Sequence, residues 1–220
     1  MLGGKFRKKL KALLAAAGKA LSIIPLTANQ FTATSILLAL IAALFIANQN
    51  LAAGLLFVVL AILVDVLDGS FAEAKKQKSN FGNYFDAIVD KVAECVFYIG
   101  FAFITPIFAI LALAGTMLES YAKPRVGLVI ISDNHDWPAV GERSDRLLVL
   151  ILGLLAAAVV SQFLIFKYSI IIVEATLFLI FLLTLVGFAQ RVHYARMLIL
   201  KAEKEGKLLP YLRSGSKKPK

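Results

Sequence analysis

The sequence predicts an all-α integral membrane fold: six transmembrane helices preceded by an N-terminal amphipathic helix lying at the interface. Three observations predict it. The chain is 60% hydrophobic with a mean hydropathy of +0.81, too apolar for an ordinary soluble domain. Its apolar residues fall in runs of about 20, the length that crosses a bilayer. Its basic residues, which give a net charge of +10, flank those runs and do not interleave with aromatics on a polar face. That placement points to an anionic membrane surface and anionic ligands, and away from nucleic acid.

The elements follow in order. Residues 1–26 set Lys5, Arg7, Lys8, Lys9 and Lys11 among Phe6, Leu10, Leu13 and Leu14, the pattern of a helix lying on the membrane. A signal peptide is the competing reading, but Lys19 interrupts the apolar part and no clear cleavage pattern follows. Residues 27–200 form one membrane domain, with spans near Asn29 to Asn48, Leu51 to Ala74, Gly82 to Thr105, Pro106 to Arg125, Glu142 to Phe166 and Tyr168 to Met197. The connections at Asn48 to Asn50, Thr105 to Pro106 and Lys167 are short, so the helices they join should be antiparallel neighbours. Residues 201–220 make a basic, poorly ordered tail attracted to lipid. Only Lys167 falls on the far side in this scheme. Lys75, Lys76, Lys78, Lys123, Arg125, Arg143 and Arg146 fall on the near side with both termini, which places that side, and any site on it, in the cytoplasm of a multi-pass cell-membrane protein. No internal repeat is visible, which argues against a repeat-built transporter. The single cysteine, Cys95, lies in an apolar stretch and reads as a small buried residue.

Four aspartates carry the chemistry. Asp65 and Asp68 are three apart near the end of the second span, and Asp86 and Asp90 are four apart at the start of the third. Each pair shares a helix face, and the short loop between the spans lets both pairs face one gap. Carboxylates at membrane depth repel and are costly to desolvate unless something positive neutralises them. Divalent cations do so, and hard oxygen ligands favour Mg²⁺, Mn²⁺ or Ca²⁺ over zinc. An ion pathway, or a structural pair bonded to Lys91, is the competing reading, with a cation- or proton-coupled transporter as the corresponding function. Gly69 follows Asp68 directly and Gly82 precedes Asp86 by four, so a ligand can approach the backbone at both points; helix packing is the alternative use of such glycines.

Asp65, Asp68, Gly69, Ala72, Gly82, Asp86 and Asp90 resemble the signature of the CDP-alcohol phosphotransferases, D-x2-D-G-x2-A-R-x8-G-x3-D-x3-D, with every spacing kept. One position departs: Glu73 stands where the signature has arginine, and Lys76, one turn on, is the candidate substitute. Asn29 and Thr32 resemble the Pro-Asn-x-x-Thr that opens the first span in the family, with Ala28 in place of proline; a helix cap made by Asn29 is the alternative. The resemblance implies two divalent metal ions, Mg²⁺ or Mn²⁺, on Asp65, Asp68, Asp86 and Asp90, with Asp90 also the general base. It implies a CDP-lipid, CDP-diacylglycerol or CDP-archaeol, against Asn29, Thr32, Asp68, Gly69, Ala72 and Gly82. The implied reaction is attack of an alcohol on the lipid-linked phosphorus with release of CMP, and the implied assembly is a homodimer.

A second basic cluster bears on the alcohol. Lys123 and Arg125 end the fourth span, Arg143 and Arg146 open the fifth, and Arg191 and Arg196 close the sixth. Three helix ends can converge on one anion, and guanidinium forks favour an acceptor that carries a phosphate; positive-inside anchoring is the plainer use of the same residues. The segments Ser120 to Arg125, Gly141 to Arg146 and Gln190-Arg191 resemble those of phosphatidylinositol phosphate and archaetidylinositol phosphate synthases, which implies inositol phosphate as acceptor and Ser120, Lys123, Arg125, Arg143, Arg146 and Arg191 as its phosphate contacts. Glycerol 3-phosphate is the alternative acceptor. His135 and Trp137, in the polar loop from Ser132 to Pro138, read as a solvated histidine and an interfacial tryptophan.

Overall fold

The punctuation between the apolar runs sets where each helix begins. The computed structural model describes residues 2–130, 137, 139–163 and 166–206. Among these are seven helices: α1 Leu2–Leu21, α2 Ala28–Ala47, α3 Leu51–Ala74, α4 Asn80–Ala102, α5 Pro106–Val126, α6 Arg143–Phe163 and α7 Phe166–Lys204. Thr27 caps α2 in a capping box, accepting from the Gln30 N–H at 3.3 Å while the Thr27 N–H donates to Gln30 Oε1 at 2.9 Å. The cap is therefore Thr27, not Asn29, which leaves the Asn29 side chain for other work. Asn50 caps α3 through the Ala53 N–H, Ser79 caps α4 through the Gly82 N–H, and Pro106 occupies the first turn of α5, where its missing N–H costs nothing.

The short connections act as expected: α2 packs on α3, α4 on α5 and α6 on α7. α2 also packs on α4, α5 on α7, α3 on α6 and α1 on α3, whereas α3 and α4 meet only sparsely. That opening between α3 and α4 is where the aspartates stand. Contacts inside the bundle use small residues, including Ala39, Ala42, Ala61, Ala109, Ala112 and Ala157, all buried. Large apolar side chains such as Leu37, Leu44, Leu56, Ile107 and Phe163 are exposed instead, an arrangement suited to lipid rather than water as the surrounding solvent.

By length and composition four helices can cross a membrane: α2, α3, α6 and α7. α4 and α5 are of similar length but carry Asp86, Asp90, Lys91 and Glu94, and Glu119, Lys123 and Arg125 respectively. α7 has 39 residues, so at a rise of 1.5 Å per residue it is about 58 Å long, well beyond the roughly 30 Å of a hydrocarbon core. It continues past Met197 and past the expected domain boundary at 200, to Lys204. Residues 207–220 of the expected tail, and His135, lie outside the described residues. Trp137 is described, and its side chain is packed inside the protein. It is buried beside Val126, Ile130 and Ala202, its ring edge-on to Tyr194 at 4.9 Å.

Candidate active site

α3 and α4 bring the four aspartates together. Asp65, Asp86 and Asp90 each offer a carboxylate oxygen within 4.8 Å of the other two. Asp68 is buried one turn along α3 and accepts a hydrogen bond from Thr32 Oγ1 of α2 at 2.9 Å. Oδ1 of Asp86 and of Asp90 are buried without a hydrogen-bond partner among the described residues. Unpartnered buried carboxylate oxygens are costly, and a set of them from two helices fits a hard divalent cation. Lys91 does not neutralise them; its ammonium lies 3.5 Å from Glu94.

A small pocket of about 70 Å³ opens from this cluster. Asn29, Thr32, Asp68, Gly69, Ala72 and Gly82 all line it, together with Asp86. A Cβ on Gly69 would meet nothing within 4 Å, so this glycine faces open space and not a packed helix. Ala28 also lines it, as do Gln77, Lys78, Ser79 and Asn83, which sequence reasoning missed. They lie in the unspecified stretch of the signature or just past it, where spacing fixes the ends of a loop but not its path. Lys76 is not among the lining residues. Its φ of +56° places it in a left-handed turn, and it is Lys78 that binds Glu73, Nζ to Oε2 at 2.6 Å.

A second cavity, of about 300 Å³, lies between α4, α5, α6 and α7 and is lined by Lys91, Glu119, Ser120, Lys123, Glu142, Arg143 and Arg191, with Pro124 and Arg146 in its wall. Arg143 joins it to the aspartates, its Nη1 lying 2.9 Å from Asp65 and 2.8 Å from Asp90. Nε of Arg143 and Nε of Arg191 are buried with no acceptor among the described residues, so the cavity wall holds donors suited to an anion.

Two of the expected phosphate contacts stand apart from the others. Arg125 does not line this cavity. It lines an apolar groove between α5 and α7 with Arg196, because residues two apart on a helix point to nearly opposite faces and Lys123 takes the cavity face. Arg146 is 1% exposed, and its guanidinium is already engaged: Nε and Nη2 fork onto Glu94 at 2.7 and 2.9 Å, and Nη1 reaches Glu119 at 2.9 Å and the Gly141 carbonyl at 2.6 Å. It supports the cavity from beneath. Glu94 and Glu119, acids in otherwise apolar runs, were the available sequence signal for this internal network. Arg191 also binds Glu119, at 2.7 Å, and lies 3.3 Å from Glu142.

An all-helical membrane fold with a facing aspartate cluster, flanked by one small polar pocket and one cationic cavity, defines a class of enzyme that handles phosphate esters at a bilayer. Residues 25–131 match the family model described as CDP-alcohol phosphatidyltransferase. Over those residues the chain is similar to that family. It is 29% identical to the archaetidylinositol phosphate synthase of Pyrococcus horikoshii over 199 residues, covering 87% of this chain and 95% of that one. Its fold is similar to that of Mycobacterium tuberculosis phosphatidylinositol phosphate synthase with CDP-DAG bound, at a TM-score of 0.69 and 21% identity over 84% of this chain and 94% of the other. The same mycobacterial enzyme in complex with manganese and citrate matches at a TM-score of 0.69 and 21% identity, over 83% and 88% of the two chains.

Proposed function

We propose that this protein is a membrane transferase of phospholipid synthesis, moving a phosphatidyl or archaetidyl group from CDP-diacylglycerol or CDP-archaeol to inositol phosphate and releasing CMP. The observation that carries the proposal is the position of Arg143, which touches both Asp65 and Asp90 and lines the cationic cavity. A phosphate held there would place its own alcohol beside the aspartates. The named relatives act in the same sense, one an archaetidylinositol phosphate synthase and the other a phosphatidylinositol phosphate synthase.

The geometry supports the following roles. Asn29, Thr32, Asp68, Gly69, Ala72 and Gly82 receive the nucleotide end of the CDP-lipid. Asp65, Asp68, Asp86 and Asp90 would hold two divalent ions, Mg²⁺ or Mn²⁺, and the mycobacterial neighbour was solved with manganese. When bound, such ions neutralise the diphosphate and spread the charge that develops as CMP leaves. Asp90, with Oδ1 unpartnered, takes the proton of the acceptor hydroxyl as its oxygen bonds to the lipid-linked phosphorus and the phosphoanhydride bond to CMP breaks. Ser120, Lys123, Arg143 and Arg191 hold the acceptor phosphate, Arg146 keeping the floor of that cavity in place. We extend the reading to the whole chain: residues 27–200 cross the membrane six times, residues 1–26 lie on its surface, both termini and the basic tail of residues 201–220 face the cytoplasm, and the enzyme works as a homodimer.

The acceptor assignment is tested with purified protein, CDP-archaeol or CDP-diacylglycerol, Mn²⁺, and inositol phosphate or glycerol 3-phosphate in parallel. CMP and a new phosphoinositol lipid are expected with inositol phosphate. Turnover with glycerol 3-phosphate alone would overturn the acceptor while keeping the class of reaction.

A further inference from the structure

The small pocket beside the aspartates has carboxylates on one side, from Asp68 and Asp86, and among its described lining residues one cation, Lys78. A diphosphate entering it needs positive charge beyond what the helices α3 and α4 supply, since those bring acids. Lys78 lies on the connection between them, and the path of that connection is fixed on both sides of it. Before it, Lys75 Nζ donates to the Ile24 carbonyl at 2.8 Å and the Ala28 N–H donates to Gln77 Oε1 at 2.7 Å. After it, Ser79 Oγ accepts from the Gly82 N–H at 2.9 Å and starts α4. The left-handed turn at Lys76, φ +56°, lets the chain reverse between these anchors, and Lys76 itself does not line the pocket.

The last restraint is Glu73, whose carboxylate lies 2.6 Å from the Lys78 ammonium. Both side chains are largely exposed, 70% for Glu73 and 61% for Lys78, and a pair in water adds little to stability. What it does is hold a flexible, strongly hydrated point charge at the pocket rim, on a segment already tied to α2. An acid at position 73 is what this arrangement requires; an arginine there would repel Lys78.

We propose that Lys78, held by Glu73, is the cationic contact for the diphosphate of the nucleotide-linked lipid, and that the Glu73–Lys78 pair replaces the arginine which the signature places at position 73. This rests on the small pocket being the nucleotide site. Binding the diphosphate gives the ammonium a second anionic partner without removing the first. The charge reversal at position 73 is thus a relocation of the positive charge from α3 to the loop, with no loss of it from the pocket.

The test is calorimetric titration of CDP into the full-length protein at fixed Mg²⁺, with melting temperatures showing that each variant is folded. If the unaltered protein does not bind CDP, the pocket assignment itself fails and the proposal falls with it. Given binding, Lys78→Met weakens CDP about tenfold, the scale of one charge-assisted hydrogen bond. Lys78→Arg keeps most of the affinity, and Lys76→Met leaves it unchanged. Lys78→Met binding as tightly as the parent, or Lys76→Met losing as much as Lys78→Met, overturns the proposal while leaving the pocket assignment standing.

Discussion

Arg143 and Arg146 sit one turn apart on α6 and have opposite environments. Arg143 spans Asp65 and Asp90 at the edge of an open cavity, and Arg146 lies beneath it with Glu94 and Glu119. Removing one member of a buried ion-pair network leaves the others uncompensated, which costs roughly 3–5 kcal/mol. Arg146→Met is therefore expected to lower the melting temperature of the detergent-solubilised protein sharply, and an unchanged melting temperature would contradict the structural role given to it here. The facing of the four aspartates was legible in the sequence because their spacing sets each pair on one helix face, whereas Asn29 and Thr32 were named only through the resemblance of their segment to the family's opening one. Arg146 was not, because a basic residue at a helix start reads as a headgroup anchor until its burial is known. Arg125 could have been separated from Lys123 by helical periodicity alone. Lys78 depends on a loop path, which no periodicity describes.

At the level of elements, the site depends on how closely α2 and α4 approach. A Cβ on Gly100 would lie 2.6 Å from the Ala43 Cα and 2.9 Å from the Ala43 carbonyl oxygen, so the two helices touch backbone to backbone. α2 carries Asn29 and Thr32, and α4 carries Asp86 and Asp90. Gly100→Ala forces these helices apart and is expected to cost about 1–3 kcal/mol, the usual range for overpacking. Thermal denaturation would show it, and a melting temperature equal to the parent's would mean that the crossing is looser than described. The loop before α6 uses glycine differently. Gly141 has φ +77°, a conformation side chains resist, and from it the carbonyl accepts from Arg146 at 2.6 Å. The helices themselves were read correctly from their apolar runs to within a few residues. The extension of α7 to Lys204 was missed because its last turns are charged, and charge resembles a tail when hydropathy is the guide.

On the scale of the whole molecule, helices α2 to α7 each bring a part of the site together. α2, α3, the α3–α4 connection and the start of α4 supply the polar pocket, α3 and α4 the aspartates, and α4 to α7 the cationic cavity. The basic residues there serve the cavity as well as the membrane surface: Lys123, Arg143 and Arg191 line it, while Arg125 and Arg196 border the apolar groove outside. In the proposed function this shared site performs metal-assisted transfer from a CDP-lipid. The most direct measurement is CMP release from CDP-archaeol or CDP-diacylglycerol with inositol phosphate, by protein stripped with a chelator and then titrated with Mn²⁺ or Mg²⁺, beside Asp90→Asn. No release is expected from the stripped protein, with recovery on adding either metal and at least a hundredfold loss in the variant, the scale expected for removing a general base. Undiminished release without metal, or full activity in Asp90→Asn, would contradict the proposed function.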